Sequence, residues 1–85
     1  AGLFNQSITV TNPFTSQLKL HFARAPKNKV SLKLENSEGR LVYSGETMPA
    51  AVIAVDLSGK QLSNGVYYLE VWADERKYTY KLVKQ

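Results

Sequence analysis

The stretch GVYYLEVWADERKYTYKLVKQ, residues 65–85, holds two runs rich in β-branched and aromatic residues on either side of Asp74-Glu75. Such runs are typical of β-strands, and a short polar interruption between two of them predicts a β-hairpin. Because side chains alternate between the two faces of a strand, one face of this hairpin is apolar and the other is basic. The apolar face comprises Tyr67, Leu69, Val71, Ala73, Tyr78, Tyr80 and Leu82, and the basic face comprises Lys77, Thr79 and Lys81.

Shorter stretches before this hairpin show the same features. They predict further strands at residues 7–10, 17–23, 30–36, 41–44 and 51–57. The third and fourth of these form a second hairpin over residues 29–45, with a turn at Ser37-Glu38-Gly39. Residues 51–57 alternate less clearly than the others, which favours a strand covered on both faces. Asn12-Pro13 indicates a turn, and Phe14 after it is interpreted as an apolar plug.

The fold class follows from this distribution of strands. No stretch shows helical periodicity over three turns, and turn signals recur at the spacing of all-β domains. Seven short strands predict an all-β fold, a seven-stranded antiparallel immunoglobulin-like β-sandwich, with an open barrel as the alternative. The predicted core consists of Ile8, Leu18, Leu20, Phe22, Val30, Leu32, Leu34, Tyr43, Val55, Leu57, Tyr67, Leu69, Val71, Tyr80 and Leu82.

Length and composition are those of a small domain. The 85 residues, 44% of them hydrophobic, suffice for one core, so residues 1–85 are predicted to form a single domain. Residues 1–6 are interpreted as the remnant of a linker to an upstream domain. The chain has no cysteine, which is compatible with any compartment. No run approaches the roughly 18 to 20 apolar residues that a membrane helix needs, so no direct membrane span is predicted.

The positive charge is confined to the last strand. Residues 1–75 hold seven basic and seven acidic side chains, whereas residues 76–85 hold Arg76, Lys77, Lys81 and Lys84 with no acidic residue. The formal excess of +4 therefore lies entirely on that strand. This pattern is typical of a surface that a partner recognises, and equally of an edge strand that lysines protect from aggregation.

Residues suited to catalysis are few. His21 is the only histidine, it lies on the predicted outward side of its strand, and the chain has no cysteine to complete a catalytic or metal-binding cluster. Glu35, Glu38 and Glu46 lie in or beside one hairpin among basic residues, as surface carboxylates commonly do. No glycine-rich phosphate loop is present. The sequence predicts that the protein is not an enzyme and has no catalytic, metal or cofactor-binding residue.

Two kinds of binding module are the alternatives. The first is a single-strand nucleic-acid binder, which interleaves basic and aromatic side chains as Lys77, Tyr78, Tyr80 and Lys81 do. The two tyrosines share the core face with Leu82, however, so no nucleic-acid partner is predicted.

Tyr68 and Trp72 lie on the face opposite this core and would form a sugar platform if they are exposed and coplanar. A carbohydrate-binding or adhesion module is therefore the alternative function. The competing interpretation is that Trp72 packs under a loop or against a neighbouring domain.

Several fragments of the chain together resemble a known family. They are Asn12-Pro13-Phe14, Glu38-Gly39-Arg40-Leu41-Val42-Tyr43-Ser44-Gly45-Glu46, Asp56-Leu57-Ser58, Asn64-Gly65-Val66-Tyr67 and Tyr78-Thr79-Tyr80-Lys81-Leu82-Val83-Lys84-Gln85. In this order and spacing they resemble the type A C-terminal sorting domain of the type IX (Por) secretion system of Bacteroidetes. Thr11 departs from the family's usual proline, and Asp74-Glu75-Arg76 departs from the glycine on which its last hairpin often turns.

The resemblance implies an immunoglobulin-like sandwich that serves as an address label for a larger cargo. In that family the domain directs cargo from the periplasm across the outer membrane to the cell surface or the extracellular space. A cell-surface sortase then usually removes the domain and can join the cargo to an anionic lipopolysaccharide. The implied partners are the type IX translocon, the sortase and an upstream cargo domain in the same chain.

The candidate sorting-signal residues lie at the start of the last hairpin and along its second strand. They are Asn64, Gly65, Val66, Tyr67, Lys77, Lys81, Leu82, Val83, Lys84 and Gln85. We hypothesise that a receptor reads this strand by β-addition, with Lys77, Lys81 and Lys84 facing acidic groups. Exposed terminal strands also exchange between copies, which predicts a strand-swapped homodimer at high concentration.

Overall fold

The computed structural model describes residues 8–85, which form seven strands in two antiparallel sheets. The elements are β1 (Ile8–Val10), β2 (Gln17–Phe22), β3 (Val30–Asn36), β4 (Leu41–Thr47), β5 (Val52–Asp56), a 3₁₀ turn (Ser58–Lys60), β6 (Gly65–Ala73) and β7 (Arg76–Lys84). One sheet has the order β1-β2-β5 and the other the order β4-β3-β6-β7. This confirms the predicted all-β sandwich over the open barrel, and residues 1–7, including the predicted linker remnant, lie outside the described part.

The core lies between the two sheets and is built by strict alternation. In β2, Leu18, Leu20 and Phe22 are buried while the residues between them are exposed, and β3 shows the same alternation. Neighbouring strands bring such residues into register, as where Leu34 pairs with Leu69. Burial of these side chains provides the main driving force for folding.

The predicted core differs from the observed one at its margins. Ile8, Tyr43 and Tyr80 are only half-buried because they lie on β1, β4 and β7, each at the edge of its sheet, where the facing sheet covers them incompletely. Phe14, Ile53 and Ala73 are buried although the predicted core omits them.

The prediction that residues 51–57 are covered on both faces is wrong. The strand β5 is an edge strand, its burial alternates residue by residue, and Val52 is 49% exposed. Two of its three outward positions are the apolar residues Val52 and Ala54, which made the sequence appear continuously hydrophobic.

The β6–β7 hairpin turns on Asp74-Glu75, flanked by the pair Ala73 and Arg76. Both turn residues have positive φ, 50° for Asp74 and 68° for Glu75, which is the twist that two-residue hairpins favour. The Asp74 carboxylate accepts hydrogen bonds from the backbone N–H groups of Lys27 at 3.0 Å and Asn28 at 3.1 Å. This clamp fixes the turn to the connection between β2 and β3, so the turn is ordered without glycine.

The two ends of the sandwich are distinct. At the end that we call the hairpin pole, the Asp74-Glu75 turn contacts the β2–β3 connection, and Ile8 pairs with Phe22 just before that connection. At the opposite end, the terminal pole, Gln85 donates a backbone hydrogen bond to Phe14 O at 2.9 Å. Ile8 is four residues before Asn12, a span of at most about 14 Å, so β1 reaches only part of the way from the terminal pole towards the hairpin pole.

Candidate functional site: the last strand and the terminal pole

The strand β7, which carries the charge excess, is the outermost strand of the four-stranded sheet. It pairs with β6 from Gly65 opposite Lys84 to Ala73 opposite Arg76, and this is its one full strand partner within residues 8–85. An edge strand leaves every second backbone N–H and C=O without a ladder partner. The expected exposed strand edge is therefore present.

The final residues of that edge are nevertheless occupied. Phe14 N–H donates to Val83 O at 2.9 Å, and Val83 N–H donates to Asn12 Oδ1 at 2.9 Å. Together with the bond from Gln85 N–H to Phe14 O, these contacts tie residues 12–14 along the outer edge of residues 83–85. The backbone N–H and C=O of Val83 point away from β6. Because this direction alternates along a strand, the backbone groups of Lys77, Thr79 and Lys81 also point away from β6, and they are left without a strand partner.

The candidate sorting-signal residues divide into buried and accessible ones. Tyr67 is 4% exposed and Leu82 is 2% exposed, and the two form a cross-strand pair inside the core. The Tyr67 ring meets Phe14 edge to face at 5.9 Å, and its hydroxyl donates to Ser63 O at 2.6 Å. A receptor cannot touch these two side chains, whose contribution is to hold the terminal pole in place.

The accessible candidates form two groups. Asn64, Gly65, Lys84 and Gln85 lie together at the terminal pole, since Gly65 pairs with Lys84. Val66 and Val83 form a pair on the outer face of the sheet next to that pole, and Val83 is 38% exposed.

Lys77 and Lys81 lie farther along β7, on the same outer face but towards the hairpin pole. The Lys77 ammonium pairs with Glu70 Oε2 at 3.1 Å and lies 5.6 Å from the centre of the Trp72 ring. Lys81 stands opposite Tyr68. Lys77 is therefore held by local partners, whereas no ion pair within residues 8–85 engages Lys81.

The same contacts bear on the proposed sugar platform. Tyr68 is 37% exposed, but Trp72 is half-buried, and the Lys33 and Lys77 ammonium groups lie 5.2 and 5.6 Å from its ring centre. Ammonium groups thus occupy positions against the ring where a sugar would stack. The arrangement disfavours a platform of Tyr68 with Trp72.

The tyrosines of β7 do not form a stacking surface beside its lysines. Tyr78 and Tyr80 face the core and are half-buried. Burial raises the pKa of the Tyr80 phenol above its ordinary value, and the neighbouring Tyr78 adds to this. Lys77 and Lys81 point to the opposite face, so the geometry lacks the mixed surface that single-strand nucleic-acid binding needs.

Asp56-Leu57-Ser58 forms a second tie at the terminal pole. Leu57 N–H donates to Ser16 O at 2.7 Å, and Ser58 N–H donates to Asp56 Oδ1 at 2.9 Å. The hydrogen bonds from the Ser58 backbone and hydroxyl stabilise the carboxylate and hold the pKa of Asp56 below its ordinary value. These hydrogen bonds fix the position of the first residue of the 3₁₀ turn Ser58–Lys60.

The turn that follows β3 also belongs to this pole. Asn36 pairs with Tyr67, and its Oδ1 accepts hydrogen bonds from Glu38 N–H at 2.9 Å and Arg40 N–H at 3.0 Å. Gly39 in this turn has a φ of 82°. Part of every fragment that carries the resemblance therefore lies at or next to the terminal pole: residues 12–14, the Gly39 turn, residues 56–58, residues 64–67 and the chain end. The fragments 38–46 and 78–85 also extend along β4 and β7 towards the hairpin pole.

Comparison with known proteins shows the family. The family model for the secretion system C-terminal sorting domain matches residues 11–85. The chain belongs to this family. The sorting domain is thus a C-terminal sorting signal of the type IX secretion system, a role that directs proteins towards the outer membrane and the exterior. The family consists of signals rather than catalysts.

A solved structure supports the architecture. The sorting domain is similar to a DUF3244 family protein with an immunoglobulin-like β-sandwich fold from Bacteroides vulgatus, with a TM-score of 0.69 and 23% identity. The alignment covers 92% of this chain and 84% of that one. At this identity the likeness shows the fold alone, and it confirms the predicted immunoglobulin-like sandwich. A search of curated proteins returned no match.

Within residues 8–85, no group of three or more histidine, cysteine, aspartate or glutamate residues could hold a metal ion. In the same residues, no helix has the length and hydropathy to cross a bilayer.

Three features of the site were absent from the sequence prediction. They are the Asn12 side chain on Val83, the Asp74 clamp and a groove that contains Arg40 and Lys60. Asn12 and Asp74 are residue types common in turns, so the sequence indicated turns at these positions. It did not indicate their hydrogen-bond partners, which are 71 positions away for Asn12 and 47 for Asp74. The groove arises from the approach of two turns distant in sequence.

Proposed function

We propose that this sorting domain carries a cargo domain, placed before it in the same chain, from the periplasm through the type IX translocon to the cell surface. In this proposal the translocon reads the terminal pole and the open edge of β7. The observation that carries the proposal is the outer position of β7 in its sheet, with its final residues held at the terminal pole.

The direction of β1 bears on how cargo and signal are arranged. From Asn12, which is tied to Val83 at the terminal pole, β1 leads back along the sandwich to Ile8, opposite Phe22. A cargo joined ahead of β1 therefore connects to the sandwich away from the chain end. Cargoes of different shape can therefore share one signal without covering it.

The open edge of β7 supplies a means of recognition. Lys77, Thr79 and Lys81 offer outward backbone groups to an added strand, and backbone pairing gives affinity that does not depend on cargo. Lys77 and Lys81 project from the outer face of β7, a strand without acidic residues, which favours an acidic receptor segment. The expectation that Lys84 acts with them is wrong, because Lys84 alternates onto the same face as Leu82 and is half-buried. Residues 83–85 are excluded from strand addition because residues 12–14 already occupy their edge.

Removal of the domain by a cell-surface sortase and anchoring of the cargo complete the proposed route. The support is membership of the family whose model matches residues 11–85. A sortase would cut ahead of β1, between the cargo and the recognition surface.

The proposal is tested by fusing residues 1–85 behind a neutral reporter in a host with this pathway and measuring reporter on the cell surface. Deleting Lys84 and Gln85 should abolish surface delivery while the domain stays folded, because neither side chain belongs to the core. A deletion that starts at Lys81 is less informative, since it removes the buried Leu82. A matched Gln17→Ala variant at an exposed position of β2 serves as the control. Unchanged delivery after the two-residue deletion contradicts a role for the chain end.

A further inference from the structure

A groove of about 330 Å³ opens at the terminal pole between the turn after β3 and the segment that follows the 3₁₀ turn. Its walls carry Arg40 and Leu41 on one side and Lys60, Gln61, Leu62 and Ser63 on the other. We propose that this groove binds an acidic peptide segment that has an apolar side chain next to its carboxylates. The sorting domain would thus have a second recognition element besides the edge of β7.

The charge of the groove selects an anionic ligand. Arg40 and Lys60 stand on opposite walls, and no aspartate or glutamate lines the groove. Within residues 8–85 neither cation takes part in an ion pair. The Lys60 ammonium lies 5.8 Å from the centre of the Tyr43 ring, which restricts its position while leaving its hydrogen-bond donors available.

The apolar part of the groove selects a peptide over a simple ion. Leu41 is 51% exposed, and the half-buried Val42 and Leu62 continue this surface. Leu41 lies beside Arg40 and Lys60, which have no ion-pair partner within residues 8–85. A ligand with an aliphatic side chain between two carboxylates can contact all three. The volume is at the lower end of the range for ligand sites and fits two or three side chains.

Both walls are fixed before any ligand arrives. Asn36 O accepts from Gly39 N–H at 3.0 Å, and Asn36 N–H donates to Arg40 O at 2.9 Å, which closes the first wall. Lys60 N–H donates to Leu57 O at 3.0 Å, and the Tyr67 hydroxyl bond to Ser63 O holds the second wall. A preformed site loses little conformational entropy on binding.

Other ligand classes fit this groove poorly. A nucleotide needs a ring to stack on, but Tyr67 is 4% exposed and the Tyr43 ring already carries the Lys60 ammonium. The 3₁₀ turn has three residues, too few for the helical N-terminus that phosphate sites use. An acidic peptide is the class that uses both the cations and the leucines.

The inference rests on the proposed function, because we take the acidic peptide to be part of the export machinery. The first test measures peptide binding by the isolated chain and does not need that assumption. The isotope-labelled 85-residue chain is titrated with the acetylated, amidated peptide Gly-Glu-Leu-Asp-Gly and followed by NMR. We expect saturable shifts confined to Arg40, Leu41 and the backbone of residues 60–63, and none with the neutral peptide Gly-Gln-Leu-Asn-Gly.

Charge-matched variants locate the site. The double variant Arg40→Gln with Lys60→Gln should bind the acidic peptide about tenfold more weakly, the loss expected for two exposed ion pairs. Lys19→Gln with Lys29→Gln removes the same charge elsewhere and should bind as the parent does. The inference is overturned if both pairs lose affinity equally, if shifts spread over all lysines, or if no saturation occurs. It is also overturned if inorganic phosphate occupies the groove as tightly as the peptide.

A cellular arm separates this inference from the proposed function. The reporter fusion with Arg40→Gln and Lys60→Gln should lose surface delivery while the fusion with the Lys19 and Lys29 substitutions keeps it. If the unsubstituted fusion fails to reach the surface, the proposed function fails, whereas the peptide titration still decides the groove. If the groove variant is delivered normally, the groove has no part in export.

Discussion

Val83 and Asn12 are joined by a hydrogen bond in which the backbone N–H of Val83 donates to Asn12 Oδ1 at 2.9 Å. The bond connects residues 71 positions apart and ties the edge of β7 to the segment after β1. It also ends the part of β7 that can accept another strand. One side chain near the start of the described chain therefore helps the Phe14 backbone to hold the terminal pole.

Replacing Asn12 by alanine should lower the free energy of unfolding by about 1 kcal/mol, because a backbone donor loses its partner. Urea unfolding measures the change. Asn64→Ala is the matched control, since the Asn64 side chain forms no hydrogen bond within residues 8–85. The loosened edge of the Asn12 variant should also raise the fraction of strand-swapped dimer in gel filtration. Equal stability of the two variants would show that the bond contributes nothing.

Phe14 should be among the most costly core residues to truncate. It is 1% exposed and contacts the Tyr67 ring, so Phe14→Ala removes a large buried side chain and should cost about 3–5 kcal/mol. Tyr80→Ala, at a half-buried edge position, should cost clearly less. Denaturant unfolding of both variants checks the order. The reverse order would contradict the placement of Phe14 as the plug between the sheets.

The Asp74-Glu75 turn predicts a stabilising substitution. Glu75 has a φ of 68°, which is unfavourable for a residue with a Cβ, so Glu75→Gly should raise the free energy of unfolding by about 0.5 kcal/mol. Glu38→Gly, in a turn where residue 38 does not have positive φ, should lower it instead. Thermal unfolding of the two variants compares the signs. A loss of stability for Glu75→Gly would contradict the turn geometry.

Asp56 should give the stability of the sorting domain an acid-dependent component. Its folded pKa lies below the ordinary value of 3.8, so its carboxylate stabilises the fold above that value and the contribution disappears as pH falls through the folded pKa. Asp56→Asn should therefore be less stable than the parent at pH 7 and equal to it at strongly acidic pH. Urea midpoints along this pH range test the sign. A gap that widens with acid would contradict the assignment.

Much of the fold was predictable from local pattern. The strands β2, β3, β6 and β7 alternate in sequence as they do in space, because each has one face against the other sheet. Alternation identifies the inward face but not whether a strand lies at an edge. This explains why Tyr80 was expected in the core. The expectation that β5 is covered on both faces came instead from the apolar residues Val52 and Ala54 at its outward positions.

The site was less predictable because its contacts cross long stretches of sequence. The lysines of β7 were found from charge alone, and their exposure follows from the position of that strand at the sheet edge. The last three residues are shielded by the side chain of Asn12 and the backbone of Phe14. No sequence pattern at Asn12 or Phe14 predicts that its partner is the chain end. The approach of Arg40 to Lys60 likewise depends on two turns meeting in space.

The central claim, that export machinery adds a strand to the open edge of β7, is tested most directly at Thr79. Its backbone N–H faces outward, so Thr79→Pro removes a donor from the edge without breaking the ladder to β6, whereas Thr79→Val keeps the donor. With both variants shown to be folded by NMR, the measurement is the amount of fused reporter on the cell surface. We predict background levels for Thr79→Pro and parental levels for Thr79→Val. Equal delivery of the two variants would contradict the claim.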